Sequence, residues 1–320
     1  IFNGCSKDDS NPTEQPPVIN EAELLVQYLE ANGDYLNTAN PAMMSAQEVR
    51  EYRLTKPNQI YIMDIRSATD FSNKGHIEGA VNVALKDVVT HIKSINSAAY
   101  ERVVVTCYSG QTSGMATAIL RVLGYSNVYS MRLGMSAWAS VFAADYWTKS
   151  IGNNYTNLVT TVTAKGAAGN LPTLNTGKTN GKEILDERIA AVLSSANPFG
   201  DVIVNWSTLT GNLSNYYIVN YWPEAQYNLG HLPGAIQYTP KNLKLATDLK
   251  TLPTNKTIAL YCYTGQTSAQ VCTILKLIGY DARSLTYGMN GLAYDWMASN
   301  SIPGQFVNSE IKEFPYVTGQ

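Results

Sequence analysis

A seven-residue stretch occurs twice in the chain, Cys107-Tyr108-Ser109-Gly110-Gln111-Thr112-Ser113 and Cys262-Tyr263-Thr264-Gly265-Gln266-Thr267-Ser268, with six of the seven letters identical. The offset is 155 residues from Cys107 to Cys262 and again 155 from His76 to His231. A constant offset across separate motifs means two tandem copies of one fold. At 320 residues the chain has room for two domains of ordinary size, each with its own core.

Each copy follows a short apolar run, Val103 to Thr106 and Thr257 to Tyr261, that reads as a buried strand of a parallel sheet. Each then opens an amphipathic helix, with Met115, Ile119, Val122 and Leu123 on the apolar side of the first and Val271, Ile274, Leu275 and Ile278 on that of the second. A cysteine therefore sits between a strand end and a helix start. A loop of glycine and small hydroxyl residues there can turn backbone N–H groups inward, and the unpaired N–H groups of the first helical turn add to them. A thiol needs about 1.4 kcal/mol of preference for its thiolate per pH unit. A helix terminus supplies roughly 0.3 to 2 kcal/mol and each hydrogen bond to a charged sulfur roughly 1.5 to 3 kcal/mol. Such a cradle suits a nucleophilic cysteine. The bland alternative is a packed structural cysteine, which does not account for duplication of the whole loop.

Along the chain, 21–30 reads as a helix, Ser45 with Glu48 as a capping box, 60–64 as a strand, 75–80 as a turn feeding a strand at 81–83, and 86–95 as a helix. Val128 to Met131 gives a further strand, and Gly134 with Trp138 marks a loop entering a last helix. Residues 151–181, rich in Asn, Thr and Gly, read as a linker. The order then repeats with a helix at 183–193, strands at 216–220 and 258–261, and a turn at 230–235 between them. The expected organisation is a tether at 1–20, a first domain at 21–150, the linker at 151–181, a second domain at 182–310 and a tail at 311–320. Alternating strands and helices predict an α/β fold in each domain, a doubly wound, mainly parallel sheet flanked by helices.

Both halves resemble the rhodanese, or sulfurtransferase, domain. The residues that carry the resemblance are Asp64-x-Arg66 at a strand end, Gly-His-Ile-x-Gly-Ala at 75–80, the Cys-x-x-Gly-x-Thr loops, Gly124-Tyr125 before the final strand, and Gly279-Tyr280 with Gly288 in the second half. The resemblance implies transfer of a sulfane sulfur through a persulfide on Cys107 or Cys262, from a small donor to a thiol or cyanide, with no metal or organic cofactor. The residues of both loops, 108–113 and 263–268, then become candidate substrate-binding residues, with Asp64 and Arg66 in support. Cationic residues after the cysteine suit dianionic thiosulfate, whereas Tyr108, Ser109 and Gln111 are neutral. Weak thiosulfate activity is expected. Asn220 and Trp222 stand where the first half has Asp64 and Arg66, which favours Cys107 slightly over Cys262. His76 and His231, each in a turn before a strand, are expected to be structural imidazoles, and Cys272 a packed side chain.

The start of the chain, Ile1-Phe2-Asn3-Gly4-Cys5, resembles the tail of a bacterial lipoprotein signal peptide, and Ser6-Lys7-Asp8-Asp9 resembles the acidic export signal of Bacteroidetes lipoproteins. The expectation is lipid attachment at Cys5 and a location in the cell envelope, on the periplasmic face or the outer-membrane surface. No apolar run approaches the ~18 residues of a membrane span. The formal net charge of −2 and the lack of a basic cluster give nucleic-acid binding no support.

Three other classes share parts of this pattern. A phosphatase of the Cys-x5-Arg type needs an arginine where Ser113 and Ser268 stand. A thiol-disulfide oxidoreductase normally presents Cys-x-x-Cys, which is absent. A non-catalytic binding or scaffold lipoprotein on the same fold is the runner-up.

Overall fold

A computed structural model describes residues 20–319. Residues 1–19 of the tether, with Cys5, lie outside the described residues.

The two cysteine-bearing strands are the centres of two parallel sheets. In the first, β1 (Met43–Met44), β2 (Ile60–Asp64), β3 (Val81–Asn82), β4 (Arg102–Thr106) and β5 (Val128–Met131) are arranged in the order β1-β5-β4-β2-β3. In the second, β6 (Ile203–Val204), β7 (Tyr217–Asn220), β8 (Ile236–Gln237), β9 (Ile258–Tyr261) and β10 (Ala282–Leu285) repeat it as β6-β10-β9-β7-β8. Val103, Val104 and Val105 of β4 and every residue of β9 are buried, as expected of strands covered on both faces by helices. The tandem α/β architecture is as the sequence predicts. Helix boundaries agree closely: Glu21–Ala31 is capped by Asn20, and Ala46–Thr55 opens with the Ser45–Glu48 capping box.

The helices that follow the cysteine loops, Gln111–Val122 and Gln266–Ile278, differ from their sequence reading. The named apolar side is buried in each, but so is most of the rest of the helix. Met115, Ala118, Ile119 and Val122 of the first pack with Val271, Ile274, Leu275 and Ile278 of the second in a core shared by the halves. Ala116 and Leu120 face the first half's own core on the opposite side. Gly114 permits the close approach, since a Cβ there would lie 3.3 Å from both the Gln266 carbonyl oxygen and Gln270 Cγ. The two halves thus meet through the backs of their cysteine loops.

The segments after each half cross to the other. In the linker, the N–H groups of Gly152 and Tyr155 donate to Asn290 and Leu292 carbonyls, each at 2.9 Å, and Val159 forms an antiparallel bridge with His231. The C-terminal segment does the same to the first half: Lys312 and Phe314 donate to Ala137 at 3.0 Å and Trp138 at 2.8 Å, and Val317 bridges to His76. The segments read as linker and tail are therefore reciprocal arms. In the turns that receive the arms, His76 Nδ1 lies 2.9 Å from the Phe71 carbonyl and His231 Nδ1 2.8 Å from that of Tyr227, with each ring stacked on the same aromatic partner. Both imidazoles hold their turns together.

Candidate active site

Each cysteine ends its strand beneath a left-handed glycine that starts the next helix, Gly110 at φ 83° and Gly265 at φ 76°. That turn directs amides back at the sulfur. Cys107 Sγ accepts the N–H of Gly110 at 3.2 Å and of Ser113 at 3.3 Å. Cys262 Sγ accepts the N–H of Ser268 at 3.4 Å. Ser113 Oγ and Ser268 Oγ each lie 3.4 Å from their cysteine sulfur and 2.7 Å from a second buried hydroxyl, Ser130 or Ser284. Those hydroxyls in turn donate to the Gly110 and Gly265 carbonyls at 3.3 and 3.2 Å. Ser130 and Ser284 occupy matching places in β5 and β10, and no motif in the sequence marks them.

A second glycine presses each loop from behind. A Cβ on Gly134 would stand 2.3 Å from the Cys107 carbonyl oxygen and 2.7 Å from the Gly110 nitrogen, and one on Gly288 would meet Cys262 and Gly265 at 2.3 and 2.8 Å. Only glycine leaves room there for the loop to close over the sulfur.

Residues 45–141 and 210–294, together more than half of the chain, match the family described as rhodanese-like domain. The chain belongs to the rhodanese-like family. It is similar to the thiosulfate sulfurtransferase GlpE of Shewanella oneidensis, 37% identical over 87 residues that cover 27% of this chain and 82% of that protein. GlpE of Pseudomonas aeruginosa is 33% identical over 102 residues, 32% of this chain and 87% of that protein. A crystal structure of a thiosulfate sulfurtransferase from Pseudomonas aeruginosa covers 94% of this chain and 49% of that chain, at 16% identity and a TM-score of 0.31.

Around Cys107 the rhodanese loop opens on a cleft of about 290 Å³. Cys107, Tyr108, Ser109, Gln111 and Thr112 line it, with Arg66 and Asp70 beside them. Ser113 lies under the sulfur and is fully buried. Gln111 and Gln266 also serve the contact between halves: Gln111 Oε1 accepts the Tyr287 N–H and Gln266 Oε1 the Leu133 N–H. This role is not legible from the loop motif, since the partners lie in the other half.

The two halves differ beside the loop tyrosine. Arg66 is held by Asp64 through Nε at 3.0 Å and Nη2 at 2.6 Å, donates from Nη2 to the Gly75 carbonyl at 2.7 Å, and lays its guanidinium 4.8 Å from the Tyr108 ring. Burial works against its charge, but the hydrogen bonds and charge of Asp64 outweigh this and raise its pKa. In the second half the Trp222 ring takes the guanidinium's place and stacks on Tyr263 at 5.0 Å, while Asn220 donates to the Tyr261 hydroxyl at 2.9 Å. An ion pair has been exchanged for aromatic packing.

The charges near the Cys107 cleft are internally paired. Asp70 meets Lys74 at 2.7 Å, and Lys74 lies 5.5 Å from the Tyr108 ring centre. Burial raises the Asp70 carboxyl, but hydrogen bonds from Lys74 and Ser67 more than compensate and hold it below the usual carboxylate range. Burial pushes the Tyr108 phenol up, and that of Tyr146, stacked 4.0 Å away, to about 12. The charged residues that line the cleft, Arg66 and Asp70, are each ion-paired, while the buried Arg66 Nη1 has no hydrogen-bond partner among the described residues. Cys272 is wholly buried on Gln266–Ile278, and burial pushes its thiol well up.

Proposed function

We propose that the protein is a sulfurtransferase that carries a sulfane sulfur as a persulfide on Cys107. The observation that supports this reading best is the position of Cys107 Sγ, which accepts the Gly110 and Ser113 amides on the wall of an open cleft. The Cys107 thiolate attacks the outer sulfur of a donor. A sulfur–sulfur bond forms, and the remainder of the donor leaves with the electron pair of the broken bond. The loop then holds the terminal sulfur of the persulfide as it held the thiolate, through fixed backbone dipoles that need no reorganisation. A thiol or cyanide takes that outer sulfur, and the Cys107 thiolate departs to close the cycle.

Cys262 has the same loop and is the second candidate. The replacement of Asp64 and Arg66 by Asn220 and Trp222 favours a supporting role for its half. Thiocyanate formation from cyanide by the full chain tests the proposal: it should vanish in Cys107→Ser and persist in Cys262→Ser.

Anchoring in the cell envelope through an acylated Cys5 belongs to the same proposal and rests on the sequence from Ile1 to Asp9. Incorporation of labelled palmitate that is lost in Cys5→Ala is the expected result.

A further inference from the structure

The cleft at Cys107 is not made by the first half alone. Phe199, Thr286 and Tyr287 of the second half line it together with Tyr146 of the first. Three of these are aromatic, and each residue is half-buried.

Tyr287 is placed there by an unusual backbone. Its φ is 58°, a left-handed value that large side chains rarely adopt, and its N–H is fixed to Gln111 Oε1 at 3.0 Å. Leu133 occupies the equivalent position of the first half with φ 62° and its own N–H bound to Gln266 Oε1 at 2.7 Å. The backbones match, but the side chains do not. Leu133 is buried in the core of its own half, whereas Tyr287 packs across the junction, edge-on to Trp147 at 5.1 Å. Trp147 Nε1 in turn donates to the Ser109 carbonyl of the cysteine loop at 3.0 Å. Tyr287 is thus tied by its backbone to Gln111 and by its ring to the support of Ser109, beside Cys107.

The chemistry of this wall selects a substituent. Inorganic thiosulfate is a small dianion, and the nearby cations Arg66 and Lys74 are already paired with Asp64 and Asp70. Aromatic rings, by contrast, bind apolar and aromatic groups through burial and ring contacts. We infer that the sulfur donor is an organic persulfide or thiosulfonate whose aromatic group lodges against Tyr146, Phe199 and Tyr287, with the second half determining specificity for the reaction at Cys107. This rests on the sulfurtransferase reading of Cys107. With a thiosulfonate, the Cys107 thiolate bonds to the terminal sulfur, the bond between that sulfur and the sulfonyl group breaks, and the sulfinate leaves with the electron pair.

The test compares benzenethiosulfonate, methanethiosulfonate and thiosulfate as donors to the full chain. Persulfide formation is followed by intact mass, and KM for loading is measured in the native protein, Tyr287→Ala, Tyr287→Phe and Phe199→Ala. Comparing donor ratios between variants cancels the different leaving-group reactivities. The expected result is a benzene over methane preference that falls about tenfold in Tyr287→Ala and Phe199→Ala and is kept in Tyr287→Phe. An unchanged ratio in both alanine variants, with sulfur still loading on Cys107, overturns the aromatic-donor inference alone. No loading from any donor overturns it together with the sulfurtransferase reading.

Discussion

Gln111 and Tyr287 belong to different halves of the chain, yet the side-chain oxygen of the first accepts the backbone N–H of the second at 3.0 Å. Gln266 and Leu133 make the reciprocal bond at 2.7 Å. Each glutamine is the first residue of the helix that follows its own cysteine loop. The two loops are therefore fixed to each other through side chains immediately beside them.

This junction has a measurable cost of removal. Gln266→Ala leaves the Leu133 N–H buried without an acceptor, a loss of about 1–3 kcal/mol. Gln111→Ala should cost less, because Tyr287 is the more exposed of the two recipients. Urea denaturation of the two variants should give midpoints below that of the native chain, with Gln266→Ala the lower.

Gly134 sets the shape of the first loop. Gly134→Ala forces a methyl group to within 2.3 Å of the Cys107 carbonyl oxygen at a φ of 59°. The strain of overpacking, about 1–3 kcal/mol, falls on the loop. The expected outcome is a folded protein that no longer takes up sulfur at Cys107, and Gly288→Ala should affect the Cys262 loop in the same way. Circular dichroism and sulfur loading, measured together, separate loss of the loop from loss of the fold.

Acid should loosen the contact between the first helix and the linker. Glu21 accepts the Thr176 and Gly177 N–H groups at 2.7 and 2.8 Å and the Thr176 hydroxyl at 2.8 Å. Burial raises its pKa, but these bonds and the charge of Arg188 lower it further, so the folded value lies below the ordinary 4.5. A carboxyl with a depressed folded pKa stabilises the fold above its unfolded value, and that contribution is lost as the pH falls through the folded one. Glu21→Gln should therefore be less stable than the native chain at about pH 7 and approach it at about pH 3, as read from urea midpoints at each pH.

Repetition made much of this architecture legible. The 155-residue offset and the short apolar runs before Cys107 and Cys262 were enough to predict two parallel α/β units. The edge strands β1 and β6, two residues each, are too short to show a period. The apolar stripe from Met115 to Val122 identified a buried face but not its partner, which belongs to the other half. The cysteine loop was readable because its chemistry is local. The rest of the cleft was not, since Tyr146, Phe199 and Tyr287 lie far apart in the chain and are joined only by the packing of the halves.

Intact-protein mass spectrometry of the reduced, folded chain after exposure to an organic persulfide donor tests the role of Cys107 most directly, with Cys107→Ser and Cys262→Ser alongside. The account predicts a gain of one sulfur that cyanide removes, that maps to Cys107, that survives in Cys262→Ser and that disappears in Cys107→Ser. No gain on the native chain, or a gain undiminished in Cys107→Ser, would contradict it.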